Sequence, residues 1–169
     1  MDAGLDTGPV IDRARVRIVP DETGGTLTAR LAAAGATAIV PALLRLRQGG
    51  PLAATPQPRD GVTHAPKIAK REALVDWRLP AAVLARQIRA FDPAPGAAAA
   101  LGGRLVKLWR SEPERTSPSG TSPGLVLAAD ATGILVACGE GALRVTELQA
   151  AGSRRMDAAA FVAGRRLAP

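Results

Sequence analysis

Hydrophobic and polar positions alternate near the start of the chain. Arg17 separates Val16 from Ile18, and this period of two predicts a half-exposed strand. Pro20 ends the segment, because proline cannot donate to a strand ladder. A single strand needs neighbours to pair with, so the pattern also predicts that this strand belongs to a larger sheet.

Apolar residues then follow helical spacing from Thr26 to the glycine pair at residues 49–50. Gly35 interrupts the pattern, and Pro41 removes a backbone donor and crowds the preceding turn. We therefore predict one helix up to Gly35 and a second that is kinked or restarted at Pro41. Without the parallel sheet that such a strand and helices normally join, their apolar face would be uncovered, so we expect the segment to be poorly stable or sticky on its own.

Residues 51–66 are rich in proline and glycine and have little apolar periodicity, which predicts an extended linker. Beyond the linker, Leu84, Ile88 and Phe91 recur at helical spacing. They predict one amphipathic helix that ends before Asp92, because a proline follows that residue.

Five short apolar runs come next, separated by glycines and polar turns, and they predict the strands of a small β-barrel. Their ranges are 97–101, 105–109, 125–129, 134–137 and 143–148. We expect a mobile loop at residues 111–123, where apolar residues are few, and a short closing helix at residues 157–162.

Composition adds a charge signal. Hydrophobic residues make up 47% of the 169 residues but aromatic ones only 2%, so the core must rely on aliphatic side chains. The formal net charge is +7, and residues 61–169 hold fifteen of the 22 Lys and Arg against nine Asp and Glu. A basic domain attracts polyanions such as nucleic acid. A solvated, arginine-rich surface explains the same charge equally well.

Cys138 is the only cysteine, which excludes an internal disulfide and a cysteine-based zinc site. We expect no metal, a reducing cytoplasmic location and a monomer. The longest apolar stretch, residues 32–44, is shorter than the roughly 18 to 20 residues that span a bilayer, so we predict no membrane segment. The N-terminus lacks the basic and apolar regions of a secretory signal.

Several short segments carry recognisable motifs in sequence order. They are MDAGLDTGP at 1–9, DETGGTL at 21–27, APKI at 65–68 with DW at 76–77, RQIRAFDP at 86–93, the run 124–129, GEGAL at 139–143 and LQ at 148–149. Each resembles a motif of bacterial methionyl-tRNA formyltransferases, and together they cover nearly the whole chain. On this resemblance the chain is identified as a member of that family.

The chain departs from the family pattern at a few positions. Ala94 stands in place of a tryptophan, Asp92 of an asparagine, His64 of a tyrosine, Ala150 of a proline, and Arg154 and Arg155 of lysines. Loss of the aromatic ring at Ala94 is expected to leave a gap against the barrel and to loosen the junction between helix and barrel.

The resemblance implies an α+β fold in three parts. Residues 1–50 are expected to be a remnant of a Rossmann-like formyltransferase domain, with a strand and helices. Residues 51–66 are the linker, and residues 67–169 are a small OB-like β-barrel with a leading helix that binds tRNA. The chain begins at the methionine of a motif, MDxGLDTGPV, that the family places well inside its N-terminal catalytic domain. We therefore expect a fragment that lacks most of that domain.

The resemblance also implies a reaction. The family transfers a formyl group from 10-formyltetrahydrofolate to the amino group of methionyl-initiator tRNA in translation initiation. An asparagine, a histidine and the LDTG aspartate share the catalytic roles, and only the aspartate has a match here, as Asp6. Its carboxylate is expected to orient and stabilise the histidine cation, although Asp-Thr-Gly is also a common turn sequence. We expect no formyl transfer by this chain alone.

Basic side chains of the second half are candidates for the tRNA backbone. They are Arg86, Arg89, Lys107, Arg110, Arg144, Arg154 and Arg155. Lys107 alternates with Val106 and Leu108, so it can face outward while its neighbours pack inward. The alternative is a solvated surface with no ligand.

Four other residues invite a chemical role that we do not assign. His64, the only histidine, lies in the linker and is expected to be a surface or packing residue rather than a base. Cys138 lies in an apolar strand and is expected to be a buried hydrophobe rather than a nucleophile. Trp77 and Trp109 are expected in the core rather than as platforms for base stacking.

Two rival functions stay open at this point. One is a non-enzymatic nucleic-acid-binding barrel that acts alone. The other is a related folate-dependent formyltransferase whose substrate is another amine, such as a sugar nucleotide.

Overall fold

A computed structural model describes residues 3–115 and 120–164, so predictions for the remaining residues lie outside the described part of the chain. Two compact units form: Met1–Pro20 with Thr26–Lys67, and Asp21–Gly25 with Ile68–Pro169. The helices and strands, in chain order, are α1 (Gly24–Arg47), a 3-10 helix (Lys70–Ala73), α2 (Ala81–Ala90), β1 (Ala97–Leu101), β2 (Arg104–Glu114), β3 (Val126–Asp130), β4 (Gly133–Ala137), β5 (Ala142–Ala150), β6 (Met156–Asp157) and α3 (Ala158–Ala163).

The predicted strand around residues 16–19 is wrong. Residues 11–19 belong to no helix or strand, and the β-bridge described in this unit joins Val10 to Thr55. A strand is held by hydrogen bonds to a neighbouring strand, and the described residues of this unit offer none beside residues 16–19. The period-two pattern therefore has no ladder to join.

The predicted interruption of the helix is also wrong, because α1 runs unbroken for 24 residues with Pro41 inside it. A glycine in a helix costs about 1 kcal/mol and a proline about 3 kcal/mol. Alanine, leucine and arginine fill most other positions of α1 and favour the helix. By length and composition alone, α1 is long and apolar enough to cross a bilayer, a test that core helices of soluble proteins also pass. The helix is thus longer than the apolar stretch of residues 32–44 on which the sequence analysis based its prediction.

On α1, several small apolar residues are less exposed than the large ones, whereas large apolar residues are usually the more buried. Its less exposed positions include three alanines, Ala34, Ala38 and the buried Ala42. Its exposed positions include larger side chains, each between 42% and 56% exposed: Leu31, Ile39, Val40, Leu43, Leu44 and Leu46. A helix that is apolar on all sides is typical of one with further layers packed around it.

An antiparallel sheet dominates the second unit, which gives the chain its α+β class. The strand order is β1-β2-β5-β4-β3, and β6 pairs with β5. All five predicted strands are present. Two glycines with positive φ, Gly102 and Gly103, form the tight turn between β1 and β2, a conformation that glycine adopts without steric cost.

Strand β2 is longer than the sequence indicated, so the predicted loop at 111–123 is wrong at its start. Residues 111–114 continue β2 because β5 offers partners there: Glu112 pairs with Arg144 and Glu114 with Ala142. Strand β6 was not predicted, since two residues are too short for a periodic pattern. Helix α3 closes the unit close to the predicted range.

One apolar cluster holds the second unit together. Helix α2 contributes Leu84 and Ile88, both fully buried, as its predicted spacing requires. They pack with fully buried side chains of the sheet such as Leu108 and Leu148, and with Phe161 of α3. Trp109 is buried and Trp77 packs at the edge of the cluster, as expected for core residues.

Truncation of Leu84 tests this core. We expect Leu84→Ala to lower the free energy of unfolding by about 2 to 5 kcal/mol, because it leaves a cavity under α2. Arg86→Ala, on the exposed side of the same helix, should change it by no more than about 0.5 kcal/mol. Urea unfolding followed by circular dichroism measures both, and equal effects would contradict the proposed packing of α2.

Candidate nucleic-acid interface

Asp6 lies in an exposed turn of the first unit. Its φ of 55° is left-handed, a conformation that aspartate tolerates better than most residues. The side-chain amide of Gln57 donates to the carbonyl oxygens of Asp6, at 2.8 Å, and of Gly8, at 2.7 Å. The turn is thus held through its backbone, and the Asp6 side chain stays exposed to solvent.

The seven predicted cations are distributed over several elements. Arg86 and Arg89 lie on α2, Lys107 and Arg110 on β2, Arg144 on β5, and Arg154 and Arg155 in the turn between β5 and β6. Lys107 is exposed between buried Val106 and Leu108, as its alternation predicted. The sequence did not indicate that some of these cations have carboxylate partners within the fold.

Arg144 is the cation most fully engaged within its own domain. Its Nε lies 2.6 Å from Glu114 Oε1, its Nη1 donates to the Thr132 hydroxyl at 2.6 Å, and Asp130 lies 3.9 Å away. The side chain is only 19% exposed. The Thr132 hydroxyl donates to Asp130, which together with the nearby Arg144 charge holds the pKa of Asp130 below its ordinary value. Arg144 therefore compensates neighbouring carboxylates rather than offering a free charge.

Arg155 forms a stacked ion pair with a residue far away in sequence. Its guanidinium lies 3.6 Å from the centre of the Trp109 ring and donates to both Asp92 oxygens, at 2.6 and 3.4 Å. The Asp92 side chain is 15% exposed. Cation–π stacking and a two-pronged ion pair act on the same arginine, so it fixes the β5–β6 turn against the segment after α2.

Trp109 also contacts Lys107 and Gln149. Lys107 Nζ lies 5.5 Å from the Trp109 ring centre and donates to the carbonyl oxygen of Pro95 at 3.0 Å. The Trp109 indole donates to Gln149 Oε1 at 3.1 Å, and Gln149 donates to the carbonyl oxygen of Ser153 at 2.7 Å. Lys107 and Arg155 thus both contact the Trp109 ring, so the structure brings these two predicted cations together.

The sequence analysis did not identify Asp92 as the partner of Arg155. The one signal in the sequence was its departure from the family pattern, where an asparagine is usual. An aspartate there, with an arginine at position 155, forms the ion pair described above. The Asp92 carbonyl oxygen also accepts a backbone hydrogen bond from Gly25 at 2.8 Å, and a side chain at Gly24 would collide with the carbonyl of Ala90. Gly24 and Gly25, which belong to the second unit, therefore pack on the same segment.

The remaining predicted cations are more open to solvent. Arg110 is 79% exposed and its Nε lies 3.3 Å from Glu147, a type of pair that contributes little stability. Arg86 and Arg154 are exposed, and neither forms an ion pair with any residue that the structure describes. These side chains keep their charge available for a polyanion.

Removal of Arg155 tests the stacked ion pair. We expect Arg155→Ala to lower the free energy of unfolding by about 1 to 2 kcal/mol, since it removes the stack on Trp109 and leaves Asp92 without its partner. The neighbouring Arg154→Ala should change it by no more than about 0.5 kcal/mol. Urea unfolding distinguishes them, and a larger effect at position 154 would refute the assignment.

Cys138 offers a chemical test of its expected role. The thiol is 5% exposed, and burial raises its pKa to about 11. We expect a thiol reagent such as Ellman's to leave the folded protein unlabelled at mildly alkaline pH and to label it fully in urea, because the thiolate is the reactive form. Equal labelling rates in both states would show that the thiol is accessible.

Known proteins resemble this chain along its whole length. The family described as Formyl transferase, C-terminal domain, matches residues 67–166, the part that contains the sheet and the side chains in contact with Trp109. Methionyl-tRNA formyltransferases of Burkholderia ambifaria and Burkholderia multivorans are 57% and 56% identical to it over 168 residues, 99% of this chain. The chain spans about half the length of these relatives, 51% of each.

Solved structures share the fold. A structure of HypX from Aquifex aeolicus is 24% identical, with a TM-score of 0.69 over all of this chain and 30% of that chain. Another, in complex with tetrahydrofolic acid, is 25% identical, with a TM-score of 0.55 over 70% of this chain and 21% of that chain. Because the family match covers more than half of the sequence, this chain belongs to the formyl transferases and carries their C-terminal domain at residues 67–166.

Proposed function

We propose that this chain is the tRNA-binding part of a methionyl-tRNA formyltransferase. That reaction moves a formyl group from 10-formyltetrahydrofolate to the amino group of methionyl-initiator tRNA. The observation that carries the proposal is the 55–57% identity to methionyl-tRNA formyltransferases along 99% of the chain. The rival of a stand-alone nucleic-acid-binding barrel gains no support from relatives of this kind.

Three segments divide the work in this proposal. Residues 1–50 are the C-terminal remnant of a Rossmann-like formyl-transfer domain. Residues 51–66 link this remnant to residues 67–169, which form an OB-like domain that binds tRNA. The family match to residues 67–166 supports the last boundary. An antiparallel sheet of short strands, with α2 packed against it, is compatible with such a small barrel.

The tRNA contacts come from exposed cations of the second unit. Lys107, Arg110, Arg86 and Arg154 are the exposed predicted residues that suit a phosphate backbone, because phosphate binding requires charge at the surface, and the half-buried Arg89 is the fifth candidate. Arg144 and Arg155 serve the domain's own fold instead, through their carboxylate partners. Both groups therefore matter to tRNA binding, the first directly and the second through structure.

Asp6 is the catalytic carboxylate in this proposal. As a neutral amine attacks the formyl carbon, the amine loses a proton and charge develops on the formyl oxygen. A carboxylate at Asp6 stabilises the cation of a histidine that takes part in this proton transfer. His64 does not fill that role, since it lies in the linker segment at a position where the family pattern has a tyrosine.

The folate donor does not fit the described residues alone. Leu5 beside Asp6 is 88% exposed, and Thr7 is exposed as well, whereas a pterin ring needs an apolar enclosure. The surroundings of Asp6 therefore cannot hold the donor by themselves. The enclosure, with the asparagine and the histidine, comes from polypeptide equivalent to the half of the relatives that this chain does not match.

The exposed face of α1 supports that requirement. Leu43 and Leu46 are each more than half exposed, and burial of a leucine stabilises a protein by about 1.5 to 3 kcal/mol. Polypeptide equivalent to the N-terminal half of the relatives supplies the cover. We further propose a cytoplasmic monomer without a metal; among the described residues no three potential ligands of His, Cys, Asp or Glu cluster.

Reconstitution tests the proposed function. The chain is co-expressed with a polypeptide equivalent to the N-terminal half of the Burkholderia ambifaria relative, and formyl transfer to methionyl-initiator tRNA is measured. We expect no transfer by the chain alone and transfer by the pair. Asp6→Asn in the pair should slow the reaction by roughly 10²- to 10⁴-fold, while Asp12→Asn, an exposed carboxylate nearby, should leave the rate unchanged.

Two results would overturn the proposal. One is a co-purifying pair, folded by circular dichroism, that does not formylate the tRNA. The other is a pair that formylates an amino-sugar nucleotide but not methionyl-tRNA, which would favour the rival folate-dependent enzyme.

A further inference from the structure

The start of the predicted linker is tied to the turn that carries Asp6. Val10 and Thr55 exchange both of their backbone hydrogen bonds, at 2.9 and 2.8 Å. The antiparallel register of this bridge, continued by two residues, sets Gln57 opposite Gly8. There the side-chain amide of Gln57 donates to the carbonyl oxygens of Gly8 and Asp6. The linker and the turn are therefore joined twice, once through the backbone and once through a side chain.

The contact requires a hydrogen-bond donor at position 57. Both atoms that face the Gln57 amide are carbonyl oxygens, which accept hydrogen bonds and cannot donate them. The amide nitrogen carries two hydrogens, so it can donate to both oxygens at once. Each bond is exposed to water and contributes modestly by itself. Together they fix the distance between two carbonyl groups on either side of Thr7, and with it the course of the backbone between them.

The linker backbone around Gln57 is stiff. Pro56 precedes this residue and Pro58 follows it; we call residues 55–58 the strap. A proline ring fixes its own φ and confines the residue before it to extended conformations, which here applies to Thr55 and Gln57. The direction of the Gln57 side chain is thus largely set in advance. The strap therefore loses little conformational freedom when the amide binds the turn.

The turn is a segment that needs such support. Within the part of the chain that the structure describes, Asp6 is the one residue other than glycine with a positive φ. A left-handed conformation is unfavourable for a residue with a β-carbon, and it persists where the surroundings hold it. The backbone at Asp6 sets the direction of its carboxylate. A turn that relaxed to negative φ would point the carboxylate elsewhere.

From these observations we propose that Gln57 is a positioning residue for formyl transfer, which clamps the turn and thereby directs the Asp6 carboxylate toward the reacting groups. The proposal rests on the catalytic role of Asp6 in the function proposed above. Gln57 acts through Asp6 and contacts neither the folate donor nor the amine. The strap is accordingly part of the catalytic machinery rather than a passive spacer, and it lies in the same compact unit as the turn.

Single-turnover formyl transfer by the reconstituted pair tests this assignment. The pair, in excess over methionyl-initiator tRNA, gives a saturated rate and a half-saturating concentration. We expect Gln57→Ala to lower the saturated rate about 10- to 100-fold, because displacement of a catalytic group by about 1 Å can cost about 10²-fold. The half-saturating concentration should stay within about twofold. Gln48→Ala truncates an exposed glutamine of the same unit and should leave both values unchanged.

A double-substitution cycle with Asp6 separates positioning from a general effect on the fold. If Gln57 acts through the Asp6 carboxylate, its loss has little left to disturb once that carboxylate is an amide. Gln57→Ala should therefore slow the Asp6→Asn pair by less than about twofold. An equal loss of rate in both backgrounds would refute the positioning role, as would a raised half-saturating concentration with an unchanged rate.

Hydrogen exchange tests the clamp without any chemistry. In the pair, we expect Gln57→Ala to speed exchange of the Val10 and Thr55 amides about tenfold, because opening of their bridge no longer breaks the Gln57 contacts as well. Asp6→Asn should leave this exchange unchanged, since the clamp binds the backbone of that residue. Exchange that Gln57→Ala does not alter would show that the amide does not hold the turn.

The outcomes distinguish the two proposals. A folded pair that transfers no formyl group, or one that Asp6→Asn does not slow, would overturn the proposed function and the positioning role with it. Transfer that Asp6→Asn slows and Gln57→Ala does not would overturn the positioning role alone. Circular dichroism spectra that match the unsubstituted pair establish that the variants are folded.

Discussion

The long antiparallel ladder between β2 and β5 is the constraint on which the second unit depends. It runs from Val106 paired with Ala150 to Glu114 paired with Ala142, and it places every other strand. Strand β1 adds to one side and β4 to the other, and α2 packs across both central strands. The ladder has irregularities in register between Leu108 and Ser111, which is where Trp109 and Arg110 lie. Local kinks of this kind redirect side chains near functional surfaces.

Charge in this domain divides into two populations with different consequences. Arg144 and Arg155 each hold a carboxylate from another element, so they join parts of the fold that are distant in sequence. Arg86 and Arg154 are exposed and form no ion pair with any residue that the structure describes. Net charge alone cannot separate the two, because both contribute equally to the sum of +7. Only the partners of each side chain show which charges remain for a ligand.

Most of the second unit was predictable from sequence, and much of the first was not. The five strands and α2 have strong periodicity and glycine-marked ends, and they pack on one another within this chain. The stretch around Val16 has equally clear periodicity, but no described strand lies beside it to pair with. Its period-two pattern therefore did not predict its secondary structure. Pro41 did not break the helix, because alanine, leucine and arginine fill most other positions of α1 and favour the helix. The carboxylate partners of Arg144 and Arg155 include residues 30 and 63 positions away, a separation that no local pattern reports.

The position of Trp109 has an optical consequence. The chain has no tyrosine and only two tryptophans, so nearly all of its near-ultraviolet fluorescence comes from Trp77 and Trp109. The indole of Trp109 lies 3.6 Å from the Arg155 guanidinium and 5.5 Å from the Lys107 ammonium group, measured to the ring centre. Its emission is therefore an intrinsic spectroscopic reporter for the arrangement of the β5–β6 turn, and the protein can be followed in solution without any attached dye.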